Sequence, residues 1–276
     1  MRTFRAFVGA ALLVAGISPA CATDLKQSVP GHPGVTYETL LKQAMRDLSH
    51  ESDGTWSVSD VAHLRDIDGK PVTTLDLTFG GIDAMVIKED GHKRLLLTTE
   101  DNSGTSGFDQ IAAVFDDGQK IPKLLDVMDV GRDRMNDFGT LQQLSPDTDL
   151  ILAEASHDNS DESYSLISPL FLRGGRFHSV MTLFTYGVAT CSSKTTEEPE
   201  ISTQADAGSR YRAIVVRVTV ETTPGETDCG DDQKAPKYSK KVVSDIYRWN
   251  EKKGAFAPVT GAIDRLSNSN WKTINN

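Results

Sequence analysis

The sequence lacks the short motifs that mark the common enzyme classes. It has no H-E-x-x-H zinc motif, no G-x-S-x-G nucleophile turn and no glycine-rich phosphate loop, so the zinc peptidase, α/β-hydrolase and nucleotide-binding classes lack their minimum parts. Its three tryptophans, Trp56, Trp249 and Trp271, are too few and too scattered for a carbohydrate-binding platform. The sequence therefore favours a protein without catalytic activity, while a hydrolase with an unrecognised pair of carboxylates stays open.

The chain also lacks an apolar stretch long enough to span a bilayer. Near its N-terminus, two arginines precede an apolar run of 12 residues, Ala6 to Ile17, and small residues follow as far as Ala22. This is the pattern of a secretory signal peptide that is cleaved after Ala22. The alternative is a lipoprotein anchored through Cys21, but Ser18 stands where such signals usually carry Leu, Val or Ile. We therefore expect a periplasmic or secreted protein with no integral membrane segment.

Cysteine is scarce, with three residues in the whole chain. The predicted cleavage removes Cys21 and leaves Cys191 and Cys229. In an oxidising compartment an isolated pair of this kind is typical of one disulfide. The bridge would join the ends of two neighbouring strands.

Basic residues are outnumbered by acidic ones. Removal of residues 1–22 leaves 27 basic and 39 acidic side chains, a formal charge of −12. Nucleic acid is excluded as a partner because its phosphates require patches of Lys and Arg. The charge favours a basic protein or a cation as the partner.

One helical pattern lies near the start of the predicted mature chain. Over residues 36–49 the apolar side chains recur at helical spacing, at Tyr37, Leu40, Leu41, Ala44, Met45 and Leu48. The spacing predicts one amphipathic helix, which Thr36 caps and Asp53-Gly54 follows.

From Trp56 onwards the apolar period is two, and Asp-Gly or Gly-Gly pairs separate the runs. The pattern predicts about a dozen antiparallel strands joined by short turns. Such a meander forms an irregular or partial β-propeller, a curled sheet or a barrel. The domains expected are a signal peptide (1–22), a linker (23–34) and a single all-β domain (35–276). The polar composition of residues 192–209 favours mobility, and the last eight residues read as a tail.

The stretch DVMDVGRDRMNDF, residues 126–138, carries carboxylates at Asp129, Asp133 and Asp137. It resembles the calcium loop of FG-GAP or VCBS repeats in integrin-type β-propellers at the first, fifth and ninth positions and at the apolar residue that follows. The resemblance implies calcium bound by these three aspartates. Gly131 and Arg134 depart from the pattern, at a ligand position and at the turn glycine. A turn in which Arg132 and Arg134 neutralise the acids is the alternative.

A second resemblance lies in NSGTSGFDQ, residues 102–110. This stretch is similar to the Ser-Gly-rich loop that periplasmic lysozyme inhibitors insert into the cleft of the enzyme. The resemblance implies Ser106 and Asp109 as partner-contacting residues, and an acidic surface would attract a basic lysozyme. The alternative is an ordinary flexible hairpin loop.

Three functions follow from these observations. The first is an exported binding or inhibitory protein, of the immunity type, directed against a basic cell-wall-degrading enzyme. The second is a hydrolase with an unrecognised carboxylate site. The third is a calcium-stabilised structural module of the cell envelope.

Overall fold

The computed structural model describes residues 20–22, 24–100, 109–133, 135–139, 141–225 and 236–274. Most of these residues lie in antiparallel β-strands, and the helices among them are α1 (Tyr37–Leu41) and α2 (Ala262–Ile274). The mainly β, antiparallel fold predicted from the sequence is therefore confirmed. Within the described residues, neither helix has the length and apolar content that crossing a membrane requires.

The first sheet lies in the N-terminal half of the chain. Its strands are β1 (Ala20–Ala22), β5 (Gly81–Glu89), β6 (His92–Glu100), β7 (Ile111–Asp116) and β8 (Lys123–Asp129), hydrogen-bonded in that order. The predicted Asp90-Gly91 turn joins β5 to β6, with φ angles of 48° and 80°, as a tight hairpin requires. The strand β1 falls within the predicted signal peptide, and residues 1–19 of that peptide lie outside the described residues.

The segment before β5 covers one face of the first sheet. It contains α1 and the short paired strands β2 (Ser49–His50), β3 (Trp56–Val58) and β4 (Leu77–Phe79). The core formed between this segment and the sheet includes Leu25, Val29, Tyr37, Leu40, Trp56, Phe79, Ile82, Leu95 and Phe115. Two residues of the expected linker, Leu25 and Val29, are therefore part of the core.

The prediction of a helix over residues 36–49 is wrong beyond its first turns. Thr36 caps α1 as expected, but the helix ends at Leu41. The reason is tertiary pairing, because the carbonyl of Ala44 and the N–H of Arg46 bond to residues 60–62 at 2.8 and 2.9 Å. A continuing helix could not make these bonds. The apolar residues of the pattern are all buried nonetheless.

Strand β7 is buried on both faces, so its sequence IAAVF is a continuous apolar run,. Ile111, Ala113 and Phe115 of β7 face the first core, and Ala112 and Val114 face a second core. The other side of that second core comes from a larger sheet through Phe138, Ile151, Ala153, Leu170, Leu172 and Phe177. The two sheets therefore pack face to face.

The larger sheet contains the rest of the strands. These are β9 (Met135–Phe138), β10 (Gln142–Ser145), β11 (Thr148–Asp158), β12 (Glu162–Arg173), β13 (Arg176–Ser179), β14 (Leu183–Ala189), β15 (Ser193–Gln204), β16 (Ala213–Pro224), β17 (Ser239–Asn250) and β18 (Ala255–Pro258). The order is β10-β11-β12-β14-β15-β16-β17-β18, with β9 paired to β11 and β13 to β12.

The larger sheet curls until β10, at its edge, meets β15 in its middle. Gln142 Nε2 donates to the carbonyl of Ile201 at 2.8 Å, and the hydroxyl of Thr203 donates to the carbonyl of Gln143 at 3.0 Å. A third core fills the inside of the curl and includes Leu144, Leu150, Ile167, Phe171, Leu183, Ile214, Val216 and Val218. The structure thus shows a curled sheet, and its described strands do not close into a barrel.

The expectation that residues 192–209 are mobile is wrong for most of the segment. Residues Ser193–Gln204 form β15, which pairs with β16 along its whole length. The residues of β15 are half-buried or exposed along the strand, so no apolar alternation marks it in the sequence. Its threonines and Ile201, which favour extended backbone, stabilise the strand despite its polar composition,.

The last eight residues do not form a tail throughout, because α2 continues to Ile274. The helix is held by buried polar side chains. The N–H of Phe184 in β14 donates to Ser267 Oγ at 3.1 Å, and Asn270 Nδ2 donates to the carbonyl of Phe184 at 3.2 Å. Ser267 and Asn270 occupy inward positions of α2, beside the apolar Ile263 and Leu266, which pack on the third core.

Candidate functional site

The two segments singled out in the sequence meet in the structure. The N–H of Val130 donates to the carbonyl of Gln110 at 2.7 Å, and the N–H of Gln110 donates to Asp129 Oδ1 at 3.3 Å. The end of the 102–110 stretch is therefore joined to the start of the acidic loop. Ser106 lies outside the described residues, so its predicted contact with a partner stays a prediction.

Asp129 lies at this junction, and its surroundings raise the pKa of its carboxyl group. It is 7% exposed at the end of β8, and its Oδ1 also accepts from the N–H of Gly131 at 3.0 Å. Burial raises the pKa of Asp129 to about 6, and the charge of Asp109 adds to the rise. Burial likewise raises the pKa of Asp109, with a contribution from Asp76. The junction therefore brings the carboxylates of Asp109 and Asp129 together where water solvates their charge poorly.

Asp133 and Asp137 make contacts of a different kind. Asp133 is 5% exposed and accepts a hydrogen bond from the hydroxyl of Tyr164. His157 stacks on Tyr164 with ring centroids 5.1 Å apart and places Nδ1 3.5 Å from Asp133 Oδ1. Asp137 is exposed on β9, opposite Glu154 of β11. Across the described residues, no group of three His, Cys, Asp or Glu is placed to hold a metal ion.

The two cysteines of the predicted disulfide are not both described. Cys191 lies between β14 and β15, where the chain turns back on itself. Cys229 lies in the stretch 226–235, outside the described residues. The disulfide therefore stays a prediction.

A groove opens at the mouth of the curled sheet, between β11 and β12 on one side and β15 on the other. Its volume is about 450 Å³, and we call it the mouth groove. The residues that line it are Leu152, Glu154, Ile167, Glu197, Glu198, Pro199 and Ile201. The lining thus combines aliphatic side chains with three carboxylates and contains no Lys or Arg.

The mouth groove exists because β14 separates from β15. The two strands pair only at Val188 and Ala189, and side chains take over the hydrogen bonds of β14 beyond that point. Glu197 Oε2 accepts from the N–H of Tyr186 at 3.2 Å and from Asn270 Nδ2 at 2.6 Å. Helix α2 and Glu197 together stabilise the opening between the strands.

Glu154 and Glu197 are the two half-buried carboxylates of the mouth groove, and Glu198 is exposed. The surroundings of Glu154 and Glu197 disfavour their charged forms. Burial raises the pKa of Glu154, and the neighbouring Asp137 raises it further. Burial also raises the pKa of Glu197, against the opposing effect of its bonds to Tyr186 and Asn270 and of the more distant charge of Lys241. A positive charge brought into the groove would lower the pKa of both groups.

The sequence reasoning missed the mouth groove. One signal for it exists, because Glu154 interrupts DLILAEAS, a strand whose other central residues are apolar on both faces. No local pattern indicated Glu197 as a site residue, because it lies within residues 192–209, which were predicted to be mobile. Asp137 of the acidic loop was identified as a candidate calcium ligand, and the structure places it beside Glu154 instead.

Comparisons of this chain with protein-family models, with curated proteins and with solved structures found no match.

Proposed function

We propose that this protein is an exported, non-catalytic binding protein that inhibits a basic protein, with a basic cell-wall-degrading enzyme as the partner class. The observation that carries the proposal is the mouth groove, which combines an aliphatic lining with carboxylates and has no basic side chain among its lining residues. The predicted signal peptide supports export, and the formal charge of −12 that follows from its removal supports a basic partner.

Charge and burial would act at different stages of binding. An acidic protein attracts a basic one over a distance of about 10 Å at 0.1 M salt, and this raises the association rate. The aliphatic residues Leu152, Ile167 and Ile201 then offer apolar surface that a partner can bury. The carboxylates Glu154 and Glu197 select a basic partner over a neutral one, because their charge is poorly solvated before binding.

An inhibition assay tests this proposal. The chain is expressed with its own leader and purified from outside the cytoplasm, where its intact mass reports the cleavage site. We expect it to slow the hydrolysis of cell walls by a purified basic lysozyme, and we expect the effect to weaken as ionic strength rises. Unchanged lysozyme activity at a large molar excess of the protein would contradict the proposal. Hydrolysis by the protein alone would favour the alternative of a carboxylate hydrolase.

The second candidate function is a calcium-stabilised module of the cell envelope. The observation that favours it is the buried carboxylate of Asp129, because burial and the charge of Asp109 raise its pKa more than its hydrogen bonds and Arg132 lower it. Calcium needs six to eight oxygen ligands. The contact of Asp133 with Tyr164 and the exposed position of Asp137 would have to change for the three aspartates to meet at one ion.

Thermal melts in excess EDTA and in millimolar calcium test the second candidate. If the loop binds calcium, an ion concentration about 100 times the dissociation constant stabilises the fold by roughly 2.7 kcal/mol, a rise in Tm of roughly 5–10 °C. The rise should be lost in Asp129→Ala and in Asp133→Ala. Coincident melts of the unmodified protein would remove this candidate and leave the acidic loop as a charged turn.

A further inference from the structure

The two carboxylates deep in the mouth groove have oxygens that accept no hydrogen bond from the described residues. Both hydrogen bonds to Glu197 end on its Oε2 atom, which leaves Oε1 without a donor among those residues. Glu154 is half-buried, and no described donor bonds to its carboxylate. A half-buried carboxylate normally finds donors when it cannot be fully hydrated. These oxygens are therefore acceptors available to a bound group.

The chemistry of the bound group follows from the lining. Three carboxylates and no Lys or Arg line the groove, so the complementary group is a cation. A bound metal ion is not the best fit, because the described residues contain no group of three His, Cys, Asp or Glu placed to hold one. An organic cation needs fewer oxygens, since an ammonium or guanidinium group donates hydrogen bonds of its own.

The apolar part of the lining indicates that the bound group has an apolar portion beside its charge. Leu152, Ile167 and Ile201 stand beside the carboxylates in the same groove. Lysine and arginine carry a stem of three or four methylene groups below the charged head, and they bury this stem on apolar surface while the head finds polar partners. A lysine or arginine side chain therefore matches both parts of the lining.

From this arrangement we infer that the mouth groove takes up one lysine or arginine side chain of a protein partner, with its stem on the aliphatic residues and its charged head facing Glu154 and Glu197. This inference rests on the proposed function, because it assumes a protein as the occupant. It adds the chemical group that the groove recognises. Asn270 Nδ2 donates to Glu197 Oε2 at 2.6 Å and so holds this carboxylate at the groove.

Short peptides test the inference without knowledge of the partner. The probes are end-blocked Val-Lys-Val and Val-Arg-Val at millimolar concentration, with Val-norleucine-Val as a control of similar length and no charge. Methyl NMR resonances of Leu152, Ile167 and Ile201 report binding in the groove, and the exposed Val242 reports non-specific effects. We expect the two basic peptides to shift the groove resonances and the norleucine peptide to leave them unchanged.

Substitutions complete the test. The variant Glu154→Gln/Glu197→Gln should bind the basic peptides at least tenfold more weakly, because it keeps the side-chain shapes and removes both charges. Glu200→Gln is the matched control, since Glu200 lies on the same strand outside the groove lining and faces Arg217 at 3.8 Å. Groove shifts that are equal for the basic and norleucine peptides, equal in the double variant, or absent with every peptide would each overturn the inference.

Binding of basic lysozyme, measured in parallel, separates this inference from the proposed function. If lysozyme binds the unmodified protein and the double variant equally, the groove does not recognise the basic side chain, although the protein still binds a basic partner. If the basic peptides bind and lysozyme does not, recognition by the groove is supported and the proposed partner class is wrong.

Discussion

Replacing Phe171 with alanine should lower the free energy of unfolding by about 3–5 kcal/mol. Phe171 is 2% exposed, and its ring centroid lies 5.7 Å from that of Tyr211, 6.1 Å from that of Trp249 and 5.6 Å from that of Phe256. These three rings also pack on one another. They cannot collapse freely into the space left by the phenyl group, so the cost of a cavity adds to the loss of buried apolar surface.

Urea and thermal melts followed by circular dichroism measure the effect of Phe171→Ala. For a domain of this size the expected loss corresponds to a fall in Tm of roughly 6–20 °C. The control is Tyr238→Ala, because Tyr238 is 57% exposed, and a surface substitution of this kind changes stability by about 0.5 kcal/mol or less. A loss of about 1 kcal/mol or less in Phe171→Ala would show that the four rings do not form a packed core.

Replacing Asp129 with asparagine should stabilise the protein at neutral pH by up to about 3 kcal/mol. The folded protein raises the pKa of this carboxyl group from 3.8 to about 6, so folding favours its protonated form. Above that pKa the group is ionised in both the folded and the unfolded states, and its charge destabilises the fold. Asparagine is neutral at every pH, and its oxygen can still accept from Gln110 and Gly131.

The stabilisation by Asp129→Asn should depend on pH. As pH falls through the folded pKa of about 6 towards the unfolded value near 3.8, the native Asp129 takes up a proton and its destabilising effect disappears. The advantage of Asp129→Asn should therefore be greatest at pH 7 and vanish near pH 4, measured as the difference between urea melts in EDTA. Asp60→Asn, at an exposed carboxylate, is the control. A variant that is less stable than the unmodified protein at pH 7 would contradict the assignment of a poorly compensated charge.

Local sequence signals predicted the class of fold because they depend on short-range physics. The hairpin turns at the Asp-Gly pair Asp90-Gly91 and the Gly-Gly pair Gly174-Gly175 occur where glycine supplies a positive φ angle,. In β16, the apolar period of two places Ile214, Val216, Val218 and Val220 on one buried face. Each of these features is decided by a few neighbouring residues.

Features that depend on distant pairing were not predictable in the same way. The helical pattern of residues 36–49 identified the buried side chains, but pairing of residues 44–46 with residues 60–62 decided the backbone. In β15, a polar strand is held by the neighbouring β16 along its whole length. In α2, the inward side chains Ser267 and Asn270 are polar because they bond to β14.

The mouth groove shows why a site of this kind escapes sequence reasoning. Its two walls come from β11 and β15, which approach each other only because the sheet curls and β14 separates from β15. An acid in a strand, such as Glu154, is visible in the sequence as an interruption of an apolar run. The second acid, Glu197, accepts a hydrogen bond from Asn270 of α2. No local sequence pattern connects these two residues.

Binding of a basic protein partner in the mouth groove can be measured directly. Its most direct test is the dissociation constant of the exported protein for a basic lysozyme, measured for the unmodified chain, for Glu154→Gln/Glu197→Gln and for the control Glu200→Gln. We expect the double variant to bind at least tenfold more weakly, which is about 1.4 kcal/mol of binding free energy or more, and we expect the control to bind as the unmodified chain does. Equal affinity of all three proteins, or no binding by the unmodified chain, would contradict the proposal.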